Sequence, residues 1–83
     1  MQIKLKLFAT LSDYLPAGAL KNEIAMPVEE QMTITQFIDK LNLPRNLVHL
    51  VLVNGFYIYP EERPRRTFQD GDVLAIWPPI AGG

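Results

Sequence analysis

Apolar and polar positions alternate from Gln2 to Phe8: Ile3, Leu5 and Leu7 fall on one side, Lys4, Lys6 and Phe8 on the other. A period of two over this length predicts a half-buried strand. Residues 9–15 follow as a short helical turn, stopped by Pro16 and Gly18. Leu20 to Val28 reads as a second strand with Ile24 and Met26 turned inward. Pro27, lacking an amide donor, places that strand at a sheet edge. The period then changes. Thr33 and Gln36 have the spacing of a capping box that starts a helix at Ile34, and Ile34, Phe37, Ile38 and Leu41 form one apolar stripe that Pro44 ends. Asn54-Gly55, between His49–Val53 and Phe56–Tyr59, is the dipeptide that a tight hairpin turn selects. Asp70-Gly71 sets a further turn before a last strand, Val73 to Trp77. Pro78-Pro79 then withdraws two amide donors, which stops ladder pairing and holds the chain extended.

The order strand, strand, helix, strand, strand, strand predicts an α+β domain over residues 1–77, with one main helix on one face of a mixed sheet of about five strands. Residues 78–83 are an extended tail that can reach ~20 Å. The other face of the sheet is left open, and register decides what occupies it. Val53 and Phe56 are partners across a two-residue hairpin, so Val51, Val53, Phe56 and Ile58 share one face and Leu52, Tyr57 and Tyr59 the opposite one. In the last strand either Leu74 and Ile76 or Val73, Ala75 and Trp77 turn inward, and the branched aliphatic pair suits a tight core under a helix better. That choice leaves Phe8, Leu52, Tyr57 and Trp77 on the open face, a cluster of the kind that marks a partner site. The inverted register would bury Trp77.

At 83 residues, 48% hydrophobic and 20% charged, the chain is an ordinary globular domain with a small core. Its stability should lie at roughly 4–12 kcal/mol. The net charge of −1 argues against a nucleic-acid partner; Arg63, Arg65 and Arg66, beside Glu61 and Glu62, read as a solvated loop. No apolar run approaches the ~20 residues of a membrane span, and a strand that begins directly after Met1 leaves no room for a signal peptide, so a cytoplasmic protein is expected. The absence of cysteine excludes disulfides, thiolate metal sites, cysteine nucleophiles and persulfides. His49 is the lone histidine, so no metal site is expected. Glu29-Glu30, Glu61-Glu62 and Asp70/Asp72 fall in turns, where acidic residues serve solvation and turn geometry rather than catalysis. No glycine-rich phosphate loop is present.

Gly82 and Gly83 carry no side chains and would let a terminal carboxylate run down a narrow channel into another enzyme's active site. Leu7-Phe8-Ala9-Thr10-Leu11, Val53-Asn54-Gly55, Asp70-Gly71-Asp72-Val73 and Trp77-Pro78-Pro79-Ile80-Ala81-Gly82-Gly83 together resemble the MoaD/ThiS sulfur-carrier family of ubiquitin-like β-grasp domains. The match spans nearly the whole chain. The double proline before Ile-Ala-Gly-Gly is more like MoaD, the small subunit of molybdopterin synthase, than ThiS. The resemblance implies that Gly83 is the carboxylate which an ATP-dependent activating enzyme of the MoeB/ThiF type adenylates, with Gly82 giving the clearance for entry. A sulfur donor would then convert the acyl-adenylate to a thiocarboxylate. It also implies that Phe8, Tyr57 and Trp77 lie in the hydrophobic patch through which such carriers meet partners; Leu52 and the tail residues Pro78, Pro79, Ile80 and Ala81 are expected to extend that contact. On this reading the chain is a carrier and co-substrate, not an enzyme. It binds no cofactor of its own, and a MoaE-like large subunit or another acceptor takes the sulfur, most directly for molybdenum- or tungsten-cofactor synthesis. Carriers for thiamine thiazole or other sulfur transfers share these features. So does a ubiquitin-like modifier that forms isopeptide bonds through Gly83. A plain interaction module would use the aromatic face alone.

Overall fold

The alternation in the first strand organises the domain. The computed structural model describes residues 1–79, and in it β1 (Gln2–Leu7) buries Ile3, Leu5 and Leu7 almost completely while Lys4 and Lys6 stay on the other side. β1 lies inside a five-stranded mixed sheet of order β2-β1-β5-β3-β4. It pairs antiparallel with β2 (Glu23–Pro27) and parallel with β5 (Val73–Trp77). β5 pairs antiparallel with β3 (Leu50–Val53), which closes a hairpin with β4 (Phe56–Tyr57). One helix, α1 (Ile34–Lys40), supplies Ile34, Phe37 and Ile38 to the core, where they join Leu74, Ile76, Val51 and Val53. Phe37 meets Phe68 edge-to-face at 5.6 Å between ring centroids. This is the ubiquitin-like β-grasp architecture, with Pro27 on an edge strand as its missing donor requires.

The capping box at α1 is complete: Thr33 Oγ1 accepts from the Gln36 amide at 3.2 Å, and Gln36 Oε1 accepts from the Thr33 amide at 3.0 Å. The next two orphan amides are satisfied from far away in sequence, since Ile34 donates to the Arg66 carbonyl and Thr35 to the Arg63 carbonyl. The helix stops earlier than Pro44 would force. Asn42 takes a φ of 60°, its amide bonds the Asp39 carbonyl, and the Leu43 amide reaches Ile38, which is a Schellman closure with asparagine in the left-handed position. β2 is also shorter than the sequence pattern suggests. Lys21 reverses the chain at a φ of 59°, so Leu20 leaves the ladder, keeps only an isolated bridge to Glu23 and stands 79% exposed.

The hairpin turn has φ values of 53° at Asn54 and 86° at Gly55, the pair of positive angles of a type I′ turn. Asn54 also works at long range. Its Nδ2 donates to Asp72 Oδ1 at 2.9 Å and its Oδ1 accepts from the Val73 amide at 2.9 Å, while Asp72 Oδ2 accepts from the Gln69 amide at 2.8 Å. Two turns distant in sequence are thereby clasped at one end of the sheet, and Asp72 is buried in the clasp. Asn54→Ala removes both side-chain bonds and puts a residue with a Cβ but no local hydrogen bonding at a positive φ. We expect a loss of about 2–3 kcal/mol in urea unfolding, with Asn54→Gly recovering only the backbone part.

Candidate docking face and tail root

The face of the sheet away from α1 carries an apolar strip whose members are set by parity. In register, Leu50 faces Trp77, Leu52 faces Ala75 on one side and Tyr57 on the other, and Lys6 faces Ala75 from β1. Phe8, just past β1, stacks flat on Trp77 with centroids 4.1 Å apart and planes 1° from parallel. Tyr57 and Tyr59 meet edge-to-face at 4.8 Å. Phe8, Leu50, Leu52 and Trp77 are half-buried, and Tyr57 and Tyr59 are exposed. Trp77 therefore belongs to the outer face, with Leu74 and Ile76 beneath the helix. Phe8 and Trp77 touch directly; Leu52 and Tyr57 are cross-strand neighbours. Leu50 is a member that the sequence pattern did not bring forward, although it is two residues from Leu52 and so shares its face.

One expected face holds without burial, and one expectation needs correcting. Phe56 does share the side of Val53, its cross-strand partner, yet it is 76% exposed. It sits on the outermost strand beside the turn, where no element covers it. Arg63 is not part of a solvated loop. It is 8% exposed, its Nε donates to the Ile58 carbonyl at 3.1 Å, and its Nη2 donates to the His49 carbonyl at 3.3 Å. Its neighbours Arg65 and Arg66 are exposed, as expected.

The strip ends where the tail begins. The Trp77 carbonyl accepts from the His49 amide at 3.0 Å, and the Ile76 carbonyl from the Phe8 amide at 3.2 Å. Pro78 is still buried against the body, and Pro79 is exposed. Ile80, Ala81, Gly82 and Gly83 lie outside the described residues. On the flank of the strip, Lys4 and Lys6 reach Glu23 at 3.7 and 3.6 Å, with all three side chains well solvated. Such solvated pairs add little to stability. Among the described residues no group of three histidine, cysteine, aspartate or glutamate side chains could hold a metal ion, and no helix is long and apolar enough to cross a membrane.

Comparison with known proteins agrees with this geometry. The family described as Mut7-C ubiquitin matches residues 1–81. The Haloferax volcanii HVO 2177 protein superposes with a TM-score of 0.77 at 25% identity, over 100% of this chain and 87% of that one. SAMP1, small archaeal modifier protein 1, also from Haloferax volcanii, gives 0.69 at 24% identity over 100% of both chains. A chain from the complex of subunits 1 and 2 of the molybdopterin-converting factor of Helicobacter pylori gives 0.62 at 17% identity, again over 100% of both. No sequence match to a functionally curated protein is found.

Proposed function

The chain belongs to the Mut7-C ubiquitin family, and from that premise we propose that it is a ubiquitin-like sulfur carrier whose Gly83 is activated as a carboxylate and converted to a thiocarboxylate. The observation that carries the reading is the aromatic strip that converges on the root of the Pro78-Pro79-Ile80-Ala81-Gly82-Gly83 segment. A partner seated on Phe8, Leu52, Tyr57 and Trp77 would have the tail delivered at its edge, where Pro78 and Pro79 restrict the directions it can take.

The chemistry asks little of the carrier's own side chains. A carboxylate is a poor electrophile. Attack of the Gly83 carboxylate on the α-phosphorus of ATP, in an activating enzyme of the MoeB/ThiF type, would release pyrophosphate and leave an acyl-adenylate with AMP as leaving group. A donor of sulfide-level sulfur would then attack the acyl carbon, forming the C–S bond as the C–O bond to AMP breaks and AMP leaves. The resulting thiocarboxylate is a nucleophile at neutral pH without a neighbouring base. That fits a chain with no cysteine. ATP would belong to the partner, and this chain would act as co-substrate rather than enzyme. The structural neighbour from a complex of molybdopterin-converting factor subunits supports a MoaE-like acceptor and a destination in molybdenum- or tungsten-cofactor synthesis.

The neighbour named small archaeal modifier protein 1 favours a second reading, in which Gly83 forms isopeptide bonds with lysines. One experiment separates the two. Protein from cells that hold its activating enzyme is treated with a thiol-directed alkylating agent, and the peptide ending in Gly83 is read by mass spectrometry. With no cysteine in the chain, a thiol adduct on Gly83 identifies the carrier. Gly83 joined to lysines of other proteins identifies the modifier. A carboxylate that stays inert with ATP, activating enzyme and sulfur donor removes both.

Trp77→Ala tests the docking face. Half-burial of the ring and its stack on Phe8 predict a stability loss of about 1–2 kcal/mol, seen by chemical denaturation. Affinity for the activating enzyme should fall about 30-fold or more, seen by titration calorimetry, because a central tryptophan is a frequent hot spot. Unfolding of the variant would return Trp77 to the core.

A further inference from the structure

We propose that the cleft between α1 and the 60–64 turn is a binding site for a carboxylate carried on a short aliphatic stem, with the Arg63 guanidinium as its anchor. The cleft has a volume of about 200 Å³ and is lined by Ile38, Asp39, Arg45, Val48, Pro60 and Arg63, among others. Arg63 is more than nine-tenths buried, yet no carboxylate of the described residues lies within ion-pair distance of it. Its two hydrogen bonds both go to neutral backbone carbonyls, of Ile58 and His49. A guanidinium has five N–H donors, so three remain without a protein partner. No buried side-chain nitrogen among the described residues is left unsatisfied, so Nη1, the one guanidinium nitrogen without a partner, keeps some exposure, and Arg63 is among the residues that line this cleft.

A largely buried cation whose only protein partners are carbonyl dipoles is an electrostatic half-site. Its planar fork matches a carboxylate in geometry as well as charge. The other walls fix the ligand's remaining character. Val48, Ile38 and Pro60 offer apolar contact to one or two methylenes, and no aromatic surface lines the cleft for a ring to stack on. The second arginine is already engaged: Arg45 Nη2 reaches both oxygens of Asp39, at 3.1 and 2.9 Å. Asp39 thus neutralises Arg45 and repels an incoming anion, leaving Arg63 as the uncompensated charge. Position adds to this. The His49 carbonyl that holds Arg63 belongs to the residue whose amide holds the Trp77 carbonyl, so the site lies two hydrogen bonds from the tail root. A glutamate or aspartate side chain of a protein that grips the tail can enter it, and so can a free small acid.

The test is a titration of the intact protein followed by ¹H–¹⁵N NMR, reading the Arg63 Nε–H and the Thr35 amide at constant ionic strength set with chloride. Butyrate is the probe, formate the control without a stem, and a blocked tripeptide with one central glutamate the mimic of a partner side chain. Butyrate is expected to move the Arg63 Nε–H saturably and to bind several-fold tighter than formate. Binding by the peptide as well assigns the site to a partner's side chain; binding by butyrate alone assigns it to a free acid. Shifts that do not saturate, or that are equally large at the exposed Arg65 and Arg66, overturn the proposal. Because Arg63→Gln removes structural hydrogen bonds too, the deciding variant is Asp39→Asn on the helix surface. It releases Arg45 and removes the opposing charge, so butyrate should bind at least about threefold tighter. Unchanged or weaker binding overturns the site.

Discussion

Deleting Gly83 is expected to abolish ATP-dependent activation completely while the melting temperature stays within about 1 °C of the parent. Among the described residues burial ends at Pro78, and the last strand residue with a fully buried side chain is Ile76. Removing a residue five positions beyond the last buried one is therefore expected not to register in a thermal scan. Activation is different in kind. If the acyl-adenylate forms on Gly83, shortening the chain by one residue draws the carboxylate back by up to ~3.5 Å. A misplacement of about 1 Å in a reacting group already costs about two orders of magnitude in rate. Pyrophosphate exchange, measured with the activating enzyme and the deleted chain, should therefore sit at background. Retained exchange would mean that the carboxylate is not the activated group. A fall in melting temperature of several degrees would mean that the tail is part of the folded body. The aromatic face supplies the internal control, because the deleted chain keeps Phe8, Leu52, Tyr57 and Trp77 and should still bind the enzyme.

What was legible in the sequence was whatever depends on short-range repetition. The period of two in residues 2–8 fixes that Ile3, Leu5 and Leu7 are inside, and by parity that Phe8 is outside, where it meets Trp77. The Thr33–Gln36 spacing gives the start of α1, and Asn54-Gly55 the hairpin and its register. Such features need only the geometry of one element. What stayed hidden depends on pairs far apart along the chain. Asn54 reads as a turn residue, and nothing local says that its side chain clasps Asp72. Phe56 has the parity of a core residue, but burial also needs something above it, and the edge position beside the turn offers nothing. Asn42 ends the helix ahead of Pro44 through backbone bonds that leave no repeat in the sequence. Arg63 is the plainest case: three arginines and two glutamates within six residues have the composition of a solvated loop, and only the fold turns one of them inward.

Arg63→Met is accordingly expected to cost about 2–4 kcal/mol, a large part of the roughly 4–12 kcal/mol available to a domain of this size. Arg63 ties three places together, two through its guanidinium and one through its backbone. Its side chain holds the Ile58 carbonyl, just after β4, and the His49 carbonyl, just before β3. Its own carbonyl accepts from Thr35 in the first turn of α1, with Arg66 serving Ile34 in the same way. Methionine keeps the aliphatic stem and fills most of the space, so the loss isolates the polar part. The buried bond to the Ile58 carbonyl and the part-buried one to the His49 carbonyl are lost, which destabilises, while the partial desolvation of a cation is relieved, which works the other way. Charge-assisted bonds to both carbonyls should outweigh that relief, because Nη1, which has no protein partner, is not fully buried and the desolvation of the guanidinium is incomplete. Urea unfolding of Arg63→Met beside Arg65→Met measures the difference. Arg65 is exposed, and its side chain makes a long 3.4 Å contact to the Glu61 carbonyl, so its variant should lie within about 0.5 kcal/mol of the parent. Equal effects at the two positions would show that the buried guanidinium contributes nothing beyond its stem. A gain in stability from Arg63→Met would show that burying the cation costs more than its hydrogen bonds contribute, and that the residue is kept at the expense of the fold.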